Sequence, residues 1–142
     1  LFEWFMSHSK GATVPGFDDH RWNGVTTLQF AELCHRIIDQ GAKYFDALVA
    51  TAPVHHVVLN GTVTKYELLQ AFAKVFEKQI HIERVASGAP VDRTLSTAFH
   101  ELPIPKDPQP MEEALRALRD YIEDAPSGVR APHPLLKTKS FS

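Results

Sequence analysis

The chain has 142 residues, 44% of them hydrophobic and 23% charged, with a formal net charge of -2. That length and balance suit one soluble globular domain with its own core. They argue against a nucleic-acid or anionic-membrane role, each of which needs a clustered basic face, and no apolar run approaches the ~20 residues of a membrane span.

Cys34 is alone, which excludes an internal disulfide framework. It falls on the apolar side of a helical pattern, "FAELCHRIID", and reads as a small buried hydrophobe. No signal-peptide pattern is present, so a cytoplasmic setting is expected. The chain begins "LFEWFMSHSKG", without an initiator methionine and with an apolar stripe already under way, as expected of a piece of a longer protein.

Phe2, Phe5 and Met6 stand at helical spacing and predict a short helix ending near Gly11. "ATVPGF" is short and extended and carries a Pro-Gly turn signal, and residues 18–23 read as a polar loop. Two similar stretches follow, "WNGVTTLQFAEL" from Trp22 and "NGTVTKYELLQAF" from Asn60, 38 residues apart counted from Val25 to Val63. In the first, Thr26 and Gln29 have the spacing of a helix-capping box, Val25 and Phe30 that of a hydrophobic staple, and Gly41 a closing position. Phe30, Leu33, Cys34, Ile37 and Ile38 form the expected buried stripe. In the second, Thr64 and Glu67 make the box, Val63 and Leu68 the staple, and Leu68, Leu69, Phe72, Val75 and Phe76 the stripe. One repetition does not make a solenoid, because two helices of one domain both need caps.

"HHVVLN", residues 55–60, is rich in β-branched residues and reads as a strand, as does "QIHIERV", residues 79–85. With the helix between them they predict a parallel βαβ unit. Residues 87–110 contain five prolines and read as loop. Met111, Leu115, Leu118, Tyr121 and Ile122 give a last amphipathic helix entered through Pro110. Residues 125–142 read as an extended or disordered tail, whose cations are Arg130, Lys137 and Lys139. The pattern as a whole is α/β, with three main helices, short strands and long loops.

The eight histidines show no metal-ligand spacing, and the chain has no G-x-S-x-G elbow, phosphate-binding P-loop or G-x-G-x-x-G. One cluster invites a ligand. Trp22, Asn23 and Thr26 surround a helix N-terminus, and "VDRTL" places Arg93 and Thr94 in a loop after a strand. Free backbone amides and an arginine bind phosphate, and an aromatic stacks on a base or sugar. A surface ion pair for Arg93 and a core position for Trp22 are the plainer alternatives.

"WNGVTTLQFAEL", "VTKYELLQAF" and "VDRTLST", in this order, resemble the C-terminal lobe of extended short-chain dehydrogenase/reductases, within them the dTDP-4-dehydrorhamnose reductase-like sugar-nucleotide proteins. The resemblance runs from about Leu1 to Asp124. It implies a small α/β lobe of helices and short strands, packed on an N-terminal Rossmann domain that binds NAD(P) and carries a Tyr-x-x-x-Lys pair. The lobe closes over a nucleotide sugar, with Arg93 toward phosphate and Asn23 and Thr26 positioning polar groups. The chain departs from the whole family pattern. It has no dinucleotide fingerprint, and Tyr44, Tyr66 and Tyr121 are followed four residues on by Leu48, Gln70 and Ala125. The resemblance therefore implies a substrate-binding part that is not catalytic by itself and binds no cofactor of its own, with the cofactor domain upstream or on a partner chain. The alternative it implies is a non-catalytic regulatory or scaffolding module. In that case a surface facing the cofactor domain, including the Leu1–Met6 stripe, serves as a protein-binding patch or a homo-oligomer contact.

Overall fold

In the computed structural model, which describes residues 1–124, five helices and five strands follow in the order α1 (Phe2–Ser7), β1 (Thr13–Phe17), β2 (His20–Trp22), α2 (Thr27–Gln40), α3 (Ala42–Thr51), β3 (Val63–Thr64), α4 (Lys65–Val75), β4 (His81–Val85), β5 (Val91–Arg93) and α5 (Met111–Asp124). The class is mixed α/β, as the sequence pattern implies. The expected tail, residues 125–142, lies outside the described residues.

The strands form two small sheets. β1 pairs in parallel with β4, from Thr13↔His81 to Phe17↔Val85. The other sheet has the order β3-β2-β5, antiparallel between β2 and β3 and parallel between β2 and β5. This corrects the expected βαβ unit. Residues 55–59 are not a strand, and Asn60 makes a single isolated bridge to Gln109. β4 takes its parallel partner from "TVPGF", which reads locally as extended chain with a turn. β2 likewise replaces the expected loop at 18–23, and Arg93 ends a strand instead of lying in a loop.

Both capping boxes form. Thr26 accepts from the Gln29 amide at 3.2 Å, while the Gln29 side chain accepts from the Thr26 amide at 2.8 Å. Thr64 and Glu67 do the same at 3.1 and 2.7 Å. Such a cap is worth ~0.5–2 kcal/mol. Gly41, at φ 80°, ends α2 and at once begins α3, a helix the sequence pattern does not reveal. An L-side chain rarely adopts that φ, so a glycine at the joint lets one helix stop and the next start in another direction.

The core lies between α1, β1, α4 and α5. Phe5, Val14 and Leu69 are fully enclosed, with Phe72, Val75, Met111 and Leu115 around them. Each such side chain contributes ~1.5–3 kcal/mol by leaving water. Phe2 meets Phe72 edge-on at 5.2 Å between ring centroids. The α1 stripe is thus mainly core: Phe5 and Met6 are buried, and Leu1 and Trp4 alone of the stripe stay exposed. The α4 stripe also packs as expected.

The α2 stripe does not. Leu33 is buried against Leu48 and Leu102 in a second, small cluster, but Phe30 is 53% and Ile38 73% exposed, and Cys34 is only half-buried. That cluster accepts a single ridge of α2, with Ile37 packed against it. Phe30, Cys34 and Ile38, four apart, stand on the neighbouring ridge.

Candidate functional site

β2 and β5 set the site. Their parallel register makes Trp22 and Arg93 direct partners. Both line a cavity of about 480 Å³ whose far wall is apolar, from Leu68 and Phe72 of α4 and Met111, Leu115 and Leu118 of α5. Thr26 and Thr27, at the start of α2, form another part of the lining. The capping box satisfies the Thr26 and Gln29 amides. The Thr27 and Leu28 amides, in the first turn, have no acceptor within the helix, and the helix dipole adds partial positive charge there.

The rim is cationic. Arg21, Lys65 and Arg93 all line the cavity. The Arg93 guanidinium has no partner among the described residues. Lys65 Nζ lies 4.7 Å from the centroid of the Phe17 ring and 5.4 Å from that of Trp4, cation-over-ring contacts that hold the ammonium at the rim. Asp92 is the acid of this strand pair. The Thr94 backbone amide and then its hydroxyl, with burial opposing and Arg21 assisting, hold the Asp92 carboxyl below its usual range.

Trp22 owes its place to Gly24. A Cβ at Gly24 would fall 2.0 Å from Cζ2 of the indole, so the ring lies directly over the glycine. In this way the Asn-Gly dipeptide of the first similar stretch makes room for the pocket's aromatic wall.

Of the five residues singled out in the sequence, Trp22, Thr26 and Arg93 meet at the cavity. Asn23 and Thr94 do not line it, and their hydrogen bonds are internal. Asn23 is buried, donating to the Leu95 carbonyl at 2.9 Å and accepting from the Leu95 amide at 2.8 Å. Thr94 gives both its amide and its hydroxyl to Asp92 Oδ1, at 2.9 and 2.7 Å. Arg21, Lys65 and His20 also line the cavity, and sequence reasoning missed them. Their signal was the "HRW" triplet before the first capping box and a lysine opening the second helix. No group of three or more metal-ligating side chains comes together among the described residues, and none of their helices is long and apolar enough to cross a membrane.

The fold matches part of two solved structures. The chain is similar to a crystal structure of a dTDP-4-dehydrorhamnose reductase from Clostridium acetobutylicum, at TM-score 0.58 and 12% identity, over 80% of this chain and 40% of that one. It is also similar to dTDP-4-dehydrorhamnose reductase from Bacillus anthracis in complex with NADP, at TM-score 0.57 and 12% identity, over 87% of this chain and 41% of that one. The chain thus spans about two-fifths of the length of these structures. The sequence matches no protein-family model and, at a significant level, no curated protein.

Proposed function

We propose that residues 1–124 are the substrate-binding lobe of an NAD(P)-dependent sugar-nucleotide reductase of the dTDP-4-dehydrorhamnose reductase type, a C-terminal lobe of the extended short-chain dehydrogenase/reductase kind, and that the lobe is not catalytic by itself. The observation that carries this reading is the pairing of Trp22 with Arg93 across β2 and β5 at the mouth of an apolar cavity. The indole offers a face to a base or sugar, and the guanidinium, which has no partner among the described residues, offers two parallel donors to a diphosphate. Arg21, Lys65 and the first turn of α2 add positive charge on the same rim. Asn23 and Thr94 act one step back, by fixing the backbone that follows Arg93.

The cofactor does not fit this chain. Its glycines stand singly, without a dinucleotide-binding turn, and it has no Tyr-x-x-x-Lys. Hydride delivery and proton donation therefore fall, in this reading, to a Rossmann domain elsewhere in the protein or on a partner chain. The lobe's contribution is to hold the nucleotide diphosphate and orient the sugar toward it.

The test is a thermal-shift titration with dTDP-, UDP- and GDP-sugars, with NADPH as control. Mass action raises the melting temperature once ligand exceeds its dissociation constant. A rise with one nucleotide sugar, lost in Arg93→Ala and absent with NADPH, supports the reading. A folded chain that shifts with none of them refutes an autonomous sugar-nucleotide site.

A second reading, a non-catalytic regulatory or scaffolding module, draws on a different observation. Phe30 and Ile38 of α2 and Phe45 and Val49 of α3 are large apolar side chains left exposed. This reading predicts self-association or partner binding that is lost when Ile38 and Phe45 are made polar.

A further inference from the structure

His20 opens β2 and lines the cavity. Its Nε2 faces Oδ1 of Asp19 at 4.0 Å, an ion-pair separation longer than a hydrogen bond. The other carboxylate oxygen, Oδ2, accepts from the Ser87 amide and the Ser87 hydroxyl, each at 2.8 Å. Oδ1 is buried and has no hydrogen-bond partner among the described residues. An unsatisfied buried carboxylate oxygen is costly, and an adjacent positive charge relieves that cost. Phe17 lies against the imidazole at 4.7 Å between centroids, tilted by 31°, and fixes the plane of the ring.

We propose that His20 is a proton-dependent contact of the cavity for an anionic ligand oxygen, with Asp19 as the residue that orients it. With Nε2–H turned toward the carboxylate, a neutral ring presents the Nδ1 lone pair, which repels an anionic oxygen. The protonated ring presents an Nδ1–H donor instead. Burial raises the Asp19 carboxyl, but the Ser87 hydroxyl and amide, the Asp19 backbone and His20 together hold the group below its usual range, so Asp19 is anionic wherever imidazole titrates. The other charged groups around His20 are Lys65 on α4 above Phe17, Asp92 and Arg93 on β5 beside β2, Arg21 next in the strand, and the Asp18–Arg84 pair at 2.9 Å that ties the turn to β4.

This inference rests on the sugar-nucleotide reading, and the experiment separates the two. Calorimetric titrations with dTDP-, UDP- and GDP-glucose are run at about pH 6 and about pH 8, on either side of the ordinary imidazole range. A nucleotide sugar suits this test because its diphosphate is esterified at both ends and carries a fixed charge across the interval. The wild type binds ~3–10-fold more tightly at the lower pH, and His20→Gln abolishes the difference. Asp19→Asn moves the transition to lower pH. The imidazole C2–H resonance of His20 in the wild type, followed by NMR, shifts when ligand is added, which checks the contact without any variant. Equal affinity at both pH values, or a slope that persists in His20→Gln, overturns the role of His20 and leaves the sugar-nucleotide reading standing. No binding at either pH overturns both.

Discussion

The side-chain amides of Gln29 and Asn60 bond to each other twice: Gln29 Nε2 donates to Asn60 Oδ1 at 2.8 Å, and Asn60 Nδ2 donates to Gln29 Oε1 at 3.0 Å. Asn60 Nδ2 also reaches the Gly24 carbonyl at 2.7 Å. Asn60 opens the second of the two similar stretches, and Gln29 completes the cap of the first. The likeness between them is therefore also a physical coupling. It explains why one capping box uses glutamine and the other glutamate. The buried Gln29 must donate as well as accept, whereas Glu67 is exposed and only accepts.

Gln29→Glu removes the donor to Asn60 and sets a carboxylate against a carbonyl oxygen in a buried place. A loss of ~1–3 kcal/mol in urea unfolding is expected. Glu67→Gln, on the surface, changes stability by less than ~0.5 kcal/mol. Equal effects at the two positions would show that the coupling does not matter.

Gly24→Ala drives a methyl group into the Trp22 indole. Displacing a packed ring costs ~1–3 kcal/mol. Because the ring is also the cavity wall, the variant is expected to lose nucleotide-sugar binding and to shift its tryptophan fluorescence even under conditions where it is fully folded.

Leu69 is completely buried among α1, α4 and α5. Leu69→Ala is expected to cost ~2–5 kcal/mol in chemical denaturation. Ile38→Ala, at a side chain that is 73% exposed, should stay within ~0.5 kcal/mol. A large loss from the second would mean that α2 has a partner covering it under the conditions of the measurement.

The Lys74 ammonium, and after it the Arg116 guanidinium, hold the Glu112 carboxyl below its usual range. Lys74 Nζ lies 2.8 Å from Glu112 Oε1, and Arg116 bonds the same oxygen. A depressed folded-state value contributes stability above the unfolded-state value, and that contribution is lost as pH falls through the folded one. Urea unfolding of the wild type and Glu112→Gln, compared from about pH 5 down to about pH 3, should therefore show the advantage of the wild type shrinking as the solution becomes more acid. A gap independent of pH would remove the ion pair as its cause.

The sequence was most legible where stability is local. Both capping boxes, the α4 stripe and α5 depend on neighbours a few residues away, and all form. What failed depends on distant partners. Residues 55–60 have strand composition but find no strand beside them. "TVPGF" has turn composition, yet becomes β1 because β4 is there to receive it. Pro15 is tolerated in a two-stranded sheet, where every strand has an open edge. Gly41 reads correctly as a helix stop, but nothing local says that a new helix begins at the next residue. At the candidate site, Trp22, Thr26 and Arg93 could be picked out by residue type and position near a helix start. Arg21, Lys65 and His20 were missed, because only the β2–β5 register and the start of α4 bring them to the same rim.

The parallel ladder between β1 and β4 joins two segments far apart in the chain, with β2, α2, α3, β3 and α4 all lying between them. During synthesis, Val14 has no strand to lie against until residues 81–85 have left the ribosome, and Phe5 waits longer still for α5. Closing so long a loop carries a large entropic penalty before any contact repays it. Refolding is therefore expected to be slow for a chain of this size. The aromatic first helix stays uncovered throughout that delay and is the segment expected to make the nascent chain prone to aggregate.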